Sequence, residues 1–269
     1  MTKTFLKISF LALLLTLITA LAVFAQNGNG NGNHAISPSL FLGETLKFDG
    51  KLNKIFHGIP IAELTFNAFG RPGSNSLVIK SEAVSKGTLL KLVRYSFLEQ
   101  YESTLDDKFR IVKTVKHDVQ KERVRDNIAE FDYAQKRVMF VETDPKDPTR
   151  PPRHIASEIS DPMLDMISAI YYIRTLPLEV GKHYELPVSD SGLVYKIPVA
   201  VKGREMQNTI LGKVMCFIVE PDIFGTGRLI EQKGSITIWM TADARHVPVR
   251  AVVRSEYGKI DIKLKAYTK

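Results

Sequence analysis

The sequence predicts a mainly β protein: a strongly curved antiparallel sheet, or open barrel, packed around one central α-helix. Two observations carry that expectation. Through most of the chain apolar and polar residues alternate with a period of two, as half-buried strands require. One segment breaks the pattern, because nine of the eleven residues from Met163 to Ile173 are apolar and do not alternate. A helix with so wide an apolar arc has to be covered on more than one side, which a flat sheet cannot do and a curved one can.

Residues 1–25 have the three parts of a secretory signal: Lys3 and Lys7, an apolar run from Phe10 to Phe24, and Val23-Phe24-Ala25 ahead of a cleavage point before Gln26. The apolar run is shorter than the roughly 20 residues a membrane-spanning helix needs, so cleavage is expected to leave no stable span. No twin arginine precedes the run, so export in an unfolded state to the periplasm is expected. The only cysteine, Cys216, lies among apolar residues, which excludes lipid attachment at the cleavage site and intramolecular disulfides.

The remaining 244 of the 269 residues can bury a core without staples. Without Lys3 and Lys7, 35 basic residues face 29 acidic ones, a net charge of +6 spread along the chain. That balance mildly favours anionic ligands. No concentrated basic stripe with interleaved aromatics is present, so nucleic acid is not an expected partner.

Residues 26–40 begin with the low-complexity stretch QNGNGNGN and read as a disordered tether; a single β-rich domain is expected over 41–269. Leu46, Phe48, Gly50 and Leu52 mark the first strand and Ala62, Leu64, Phe66 and Ala68 the second, folding back around Phe56-His57-Gly58. Val93, Tyr95, Phe97 and Tyr101 share a face of a further strand. The charge-rich segment Ile111 to Tyr133, with Lys113, Lys116, Lys121, Arg123 and Arg125, reads as a solvated hairpin. Four prolines make 144–152 a surface loop leading into the helix.

In the helix, Asp161 is the expected N-cap with Pro162 in the first turn, and Leu176-Pro177 the stop. Asp161, Asp165, Ser168, Tyr172 and Thr175 form one narrow polar stripe. Beyond it, one face each is formed by Tyr195, Ile197, Val199 and Val201; by Ile236, Ile238 and Met240; by Val247, Val249, Ala251 and Val253; and by Ile260, Ile262, Leu264 and Ala266. Glycines at turn positions between these runs imply an antiparallel meander.

The order and spacing of Gly43-Glu44-Thr45-Leu46-Lys47-Phe48, Gly58-Ile59-Pro60-Ile61-Ala62, Asp161-Pro162, Ile173-Arg174-Thr175-Leu176-Pro177-Leu178, Gly181, Trp239, Asp243, Pro248 and Gly258 resemble a family of exported bacterial proteins known as domain of unknown function 3108. The resemblance spans about residues 41–267 and implies no particular activity. The final stretch, IWMTADARHVPVRAVVRSEYGKIDIKL, is also similar to the last strands of periplasmic lipoprotein carriers, open barrels that hold an acyl chain between sheet and helices. This likeness is one of fold, and the chain has one clear helix where the carriers have several lid helices.

The six histidines are isolated, and no metal-ligand spacing, phosphate loop, dinucleotide fingerprint or serine elbow occurs. A non-enzyme without cofactor, metal or catalytic residues is expected. Three readings follow. The first is non-catalytic binding of an acyl chain or glycolipid between helix and sheet by a monomer, with Met163, Met166, Ile167, Ile170, Arg174 and Trp239 as candidate ligand contacts. The second is an envelope interaction protein with a packed core, and the third a hydrolase of cell-wall glycan or lipid. Arg174 either anchors the helix through a salt bridge or meets an acidic head group. Whether the helix fills the core or lines a cavity stays open at this level.

Overall fold

The computed structural model describes residues 38–53, 58–71, 73, 76–92, 94–228, 230–256 and 258–269. The expected signal segment, the glycine-asparagine stretch 26–33, the expected Phe56-His57 turn and Val93 lie outside them. One open antiparallel sheet contains fourteen strands. The first eight are β1 (Thr45–Asn53), β2 (Ile59–Gly70), β3 (Leu77–Ser85), β4 (Phe97–Leu105), β5 (Ile111–Gln120), β6 (Arg123–Asp132), β7 (Arg137–Thr143) and β8 (Arg153–Glu158). The other six are β9 (His183–Asp190), β10 (Leu193–Thr209), β11 (Gly212–Pro221), β12 (Gly234–Thr241), β13 (Pro248–Ser255) and β14 (Gly258–Thr268).

The spatial order runs from β8 down to β1, then from β14 down to β9. The chain thus meanders outward from β1 to one end of the sheet, crosses to the other end, and meanders back until β14 pairs with β1. The crossing carries the helix, α2 (Met166–Ile173); a shorter helix, α1 (Thr88–Leu92), joins β3 to β4. Helix α2 packs on β3, β4 and β9.

Register shifts interrupt five strand pairs, at Lys47/Phe48, Gly50/Lys51, Thr104/Leu105, Val201/Gly203 and Trp239/Met240. Each bends its strand and adds twist, so the two ends of the sheet approach without a backbone ladder between them. Gly192, in the β9–β10 turn, sits so close to the other end that a β-carbon there would lie 2.5 Å from Phe140 Cβ and 2.9 Å from Ile155 Cβ. The crossing segment also pairs locally with one edge: the Leu164 N–H donates to Pro187 O, and the Leu164 carbonyl accepts the Ser189 N–H.

Several expectations change. The first described residues form a short 3-10 turn over Pro38–Phe41 that buries Phe41, so the last residues of the expected tether are structured. Strand β3, whose Leu77-Val78-Ile79 run is buried without alternation, and helix α1 had no counterpart in the sequence reading. β4 starts at Phe97, which leaves Tyr95 ahead of the strand. The proline loop leads into β8 and not directly into the helix. The β5–β6 hairpin forms as expected, yet Lys116 on it is buried against Glu99 at 3.0 Å, and Arg125 reaches Asp144.

Candidate functional site

The helix is eight residues long and starts four residues later than expected. Because Leu164 is held extended against Val188, the cap moves from Asp161 to Asp165. The Asp165 carboxylate accepts the Ser168 N–H at 2.7 Å, and the Asp165 N–H donates to Ser168 Oγ at 2.8 Å, a reciprocal capping box. Its second oxygen accepts Ser103 Oγ at 2.5 Å and Thr114 Oγ1 at 2.9 Å. The polar stripe is therefore not a solvent face at this end: Asp165 and Ser168 are fully buried, and the stripe bonds the helix to β4 and β5.

At the other end Arg174 caps the helix, its N–H reaching the Tyr171 and Tyr172 carbonyls. Its guanidinium pairs with both carboxylate oxygens of Glu44, at 2.5 and 2.7 Å, and donates to Arg245 O at 3.3 Å. The Phe41 ring lies 4.7 Å beneath it. These contacts engage the side chain fully, and it does not line the cavity described next.

Between the two caps, Met166, Ile167, Ala169, Ile170, Tyr171 and Ile173 form one wall of a cavity of about 170 Å³. The facing walls come from strands of both halves of the sheet, among them Leu46, Phe48, Leu64 and Phe66 on one side and Ile197, Val199, Ile236, Ile238 and Ile262 on the other. Ser81, Glu82 and Arg250 also border it besides the tyrosine, but the Arg250 guanidinium is turned to the far side of the sheet, onto Asp261. The Tyr171 hydroxyl is buried without a protein partner, and burial holds its proton far more tightly than in water.

Of the candidate contacts, Met166, Ile167 and Ile170 line this cavity together; Met163, Arg174 and Trp239 do not. Met163 precedes the helix, fully buried, with its carbonyl accepting the Ile111 N–H. Trp239 is corrected by the alternation of β12: Ile236 and Ile238 face the cavity, so Trp239 faces the opposite side. There its indole N–H donates to Glu205 at 2.9 Å and the Arg250 guanidinium stacks on it at 4.8 Å. The strand residues of the wall were not singled out individually, though their signal was available: Ile197, Val199, Ile236, Ile238 and Ile262 all fall on faces that the two-residue period marks as buried.

Among the described residues no three or more His, Cys, Asp or Glu side chains gather closely enough to hold a metal ion, and no helix is long and apolar enough to cross a membrane.

None of the curated proteins matches the chain. In fold it is similar to a β-barrel-like protein of the domain of unknown function DUF1849 from Brucella abortus, with a TM-score of 0.59 at 10% identity, over 84% of this chain and 97% of that one. A Bacteroides fragilis protein with a YmcC-like fold aligns with a TM-score of only 0.35 at 12% identity, over 93% of this chain and all of that one, which adds nothing to the fold assignment. The sequence itself is decisive at the family level: residues 51–265 match the family of proteins of unknown function DUF3108, and the chain belongs to it.

Proposed function

We propose that the protein binds, without catalysing a reaction, an apolar or amphipathic component of the cell envelope in the cavity between α2 and the curved sheet, after export to the periplasm. The observation that carries this reading is the lining: about 170 Å³ walled almost wholly by hydrocarbon from both halves of the sheet and one face of the helix. Apolar cavities of about 150 Å³ stay dry and accept a ligand of benzene size, whereas sites for whole drug-sized molecules start near 300 Å³. The occupant that fits is therefore a short hydrocarbon segment, such as one end of an acyl chain. The rest of an amphipathic molecule would lie outside this space.

Native mass spectrometry after gentle purification, together with titration of delipidated protein with fluorescent fatty acids, tests the reading. Ile170→Trp, which places a larger apolar group in the cavity, is expected to abolish binding while leaving the fold intact. A parent protein that carries no lipid and binds no fatty acid would refute the proposal.

A further inference from the structure

A second, smaller pocket of about 20 Å³, bordered in part by Ala129, Phe131 and Phe140, lies where the two ends of the sheet meet. Its walls include Tyr101 on β4, Thr114 and Lys116 on β5 and Asn127 on β6, with Ser189 and Asp190 on β9 opposite them. Asn127 Oδ1 and Ser189 Oγ are buried and make no hydrogen bond within the protein; the two residues are 9% and 3% exposed. Lys116 is held by Glu99 at 3.0 Å, and Asp190 accepts the Ser191 hydroxyl at 2.9 Å.

The chemistry of these groups restricts the occupant. Of the two unpartnered atoms, the amide oxygen only accepts, so the occupant must donate, and the serine hydroxyl can either accept from it or donate to it. An ammonium or alkali ion would face the lysine charge. The volume matches one water, which needs about 10–15 Å³ of such space and two to four polar partners. We propose that this enclosure is a binding site for a single water molecule that joins Asn127 on one end of the sheet to Ser189 on the other, across a seam that no backbone ladder closes.

A crystal structure of the purified protein near atomic resolution tests the assignment. One ordered peak within hydrogen-bond reach of both Asn127 Oδ1 and Ser189 Oγ is expected. No peak, or an Asn127 amide nitrogen facing the enclosure, overturns it; so does an anomalous signal there in thallium-containing crystals, which would mark a monovalent cation. In solution, water ¹⁷O relaxation dispersion should count one long-lived internal water fewer in Asn127→Leu than in the parent. An unchanged count in the folded variant also overturns the proposal.

Discussion

Arg174 and Glu44, 130 residues apart in the chain, form a two-pronged ion pair with side chains that are 2% and 0% exposed. Glu44 stands one residue ahead of β1, so the pair ties the end of α2 to the start of the sheet. In a buried pair, desolvation offsets much of the attraction, but removing one partner strands the other charge. Glu44→Gln is therefore expected to cost about 3–5 kcal/mol. Glu44→Gln combined with Arg174→Met should cost clearly less than the sum of the two single changes. Urea denaturation, followed through the lone tryptophan, measures both; additivity would show that the two residues are not coupled.

Asp165 and Asp161 give a direct comparison of the observed cap with the expected one. Asp165→Ala removes the cap and the acceptor of two buried hydroxyls, and is expected to cost at least about 3 kcal/mol. Asp161, whose side chain is 59% exposed and pairs with Arg110, should cost under about 1 kcal/mol when changed to Ala. Equal losses in thermal or urea unfolding would contradict the position of the cap.

Glu99 makes stability depend on pH. Burial raises its pKa from 4.5 to about 7, against the opposing pull of Lys116, while Asp118 and Asp190 add to the rise. Burial moves the Asp190 carboxyl in the same direction. The folded state thus holds the Glu99 proton more tightly than the unfolded chain, and stability should fall as pH rises from 4.5 to about 7, then level off. Glu99→Gln should flatten this fall by up to roughly 3 kcal/mol, leaving the part due to Asp190. Unfolding free energies across that range check it, and a variant with the parent's slope would contradict it.

Gly192 and Gly212 separate backbone strain from close approach. Both have positive φ, +79° and +93°, but a β-carbon at Gly212 meets nothing within 4 Å, whereas one at Gly192 collides with Phe140 and Ile155. Gly212→Ala should lose only about 1–2 kcal/mol, from its left-handed conformation. Gly192→Ala should lose several kcal/mol, as overpacking adds to strain. Similar melting temperatures for the two variants would mean that the ends of the sheet do not touch.

Much of the fold was legible because strand periodicity is local. Leu46, Phe48 and Leu52 alternate with polar neighbours, and so do Ile236 and Ile238; no other part of the chain is needed to read a buried face from them. The apolar run that became α2 announced itself in the same way. β3 was not legible, since Leu77-Val78-Ile79 is covered on both sides and, where burial alternates from Ile79 to Ala83, the inward-facing Ser81 is itself polar.

What the sequence by itself determined is a mainly β, antiparallel architecture, one apolar helix, and which residues of most strands turn inward. Tertiary structure alone decided that Asp165 and not Asp161 caps the helix, because Leu164 pairs with β9. It also decided that Lys116 is buried and that Arg174 meets Glu44. These outcomes depend on partners far away in the chain. They meet only because twist and bulges, accumulated over fourteen strands, bring the two ends of the sheet together around the segment that joins them.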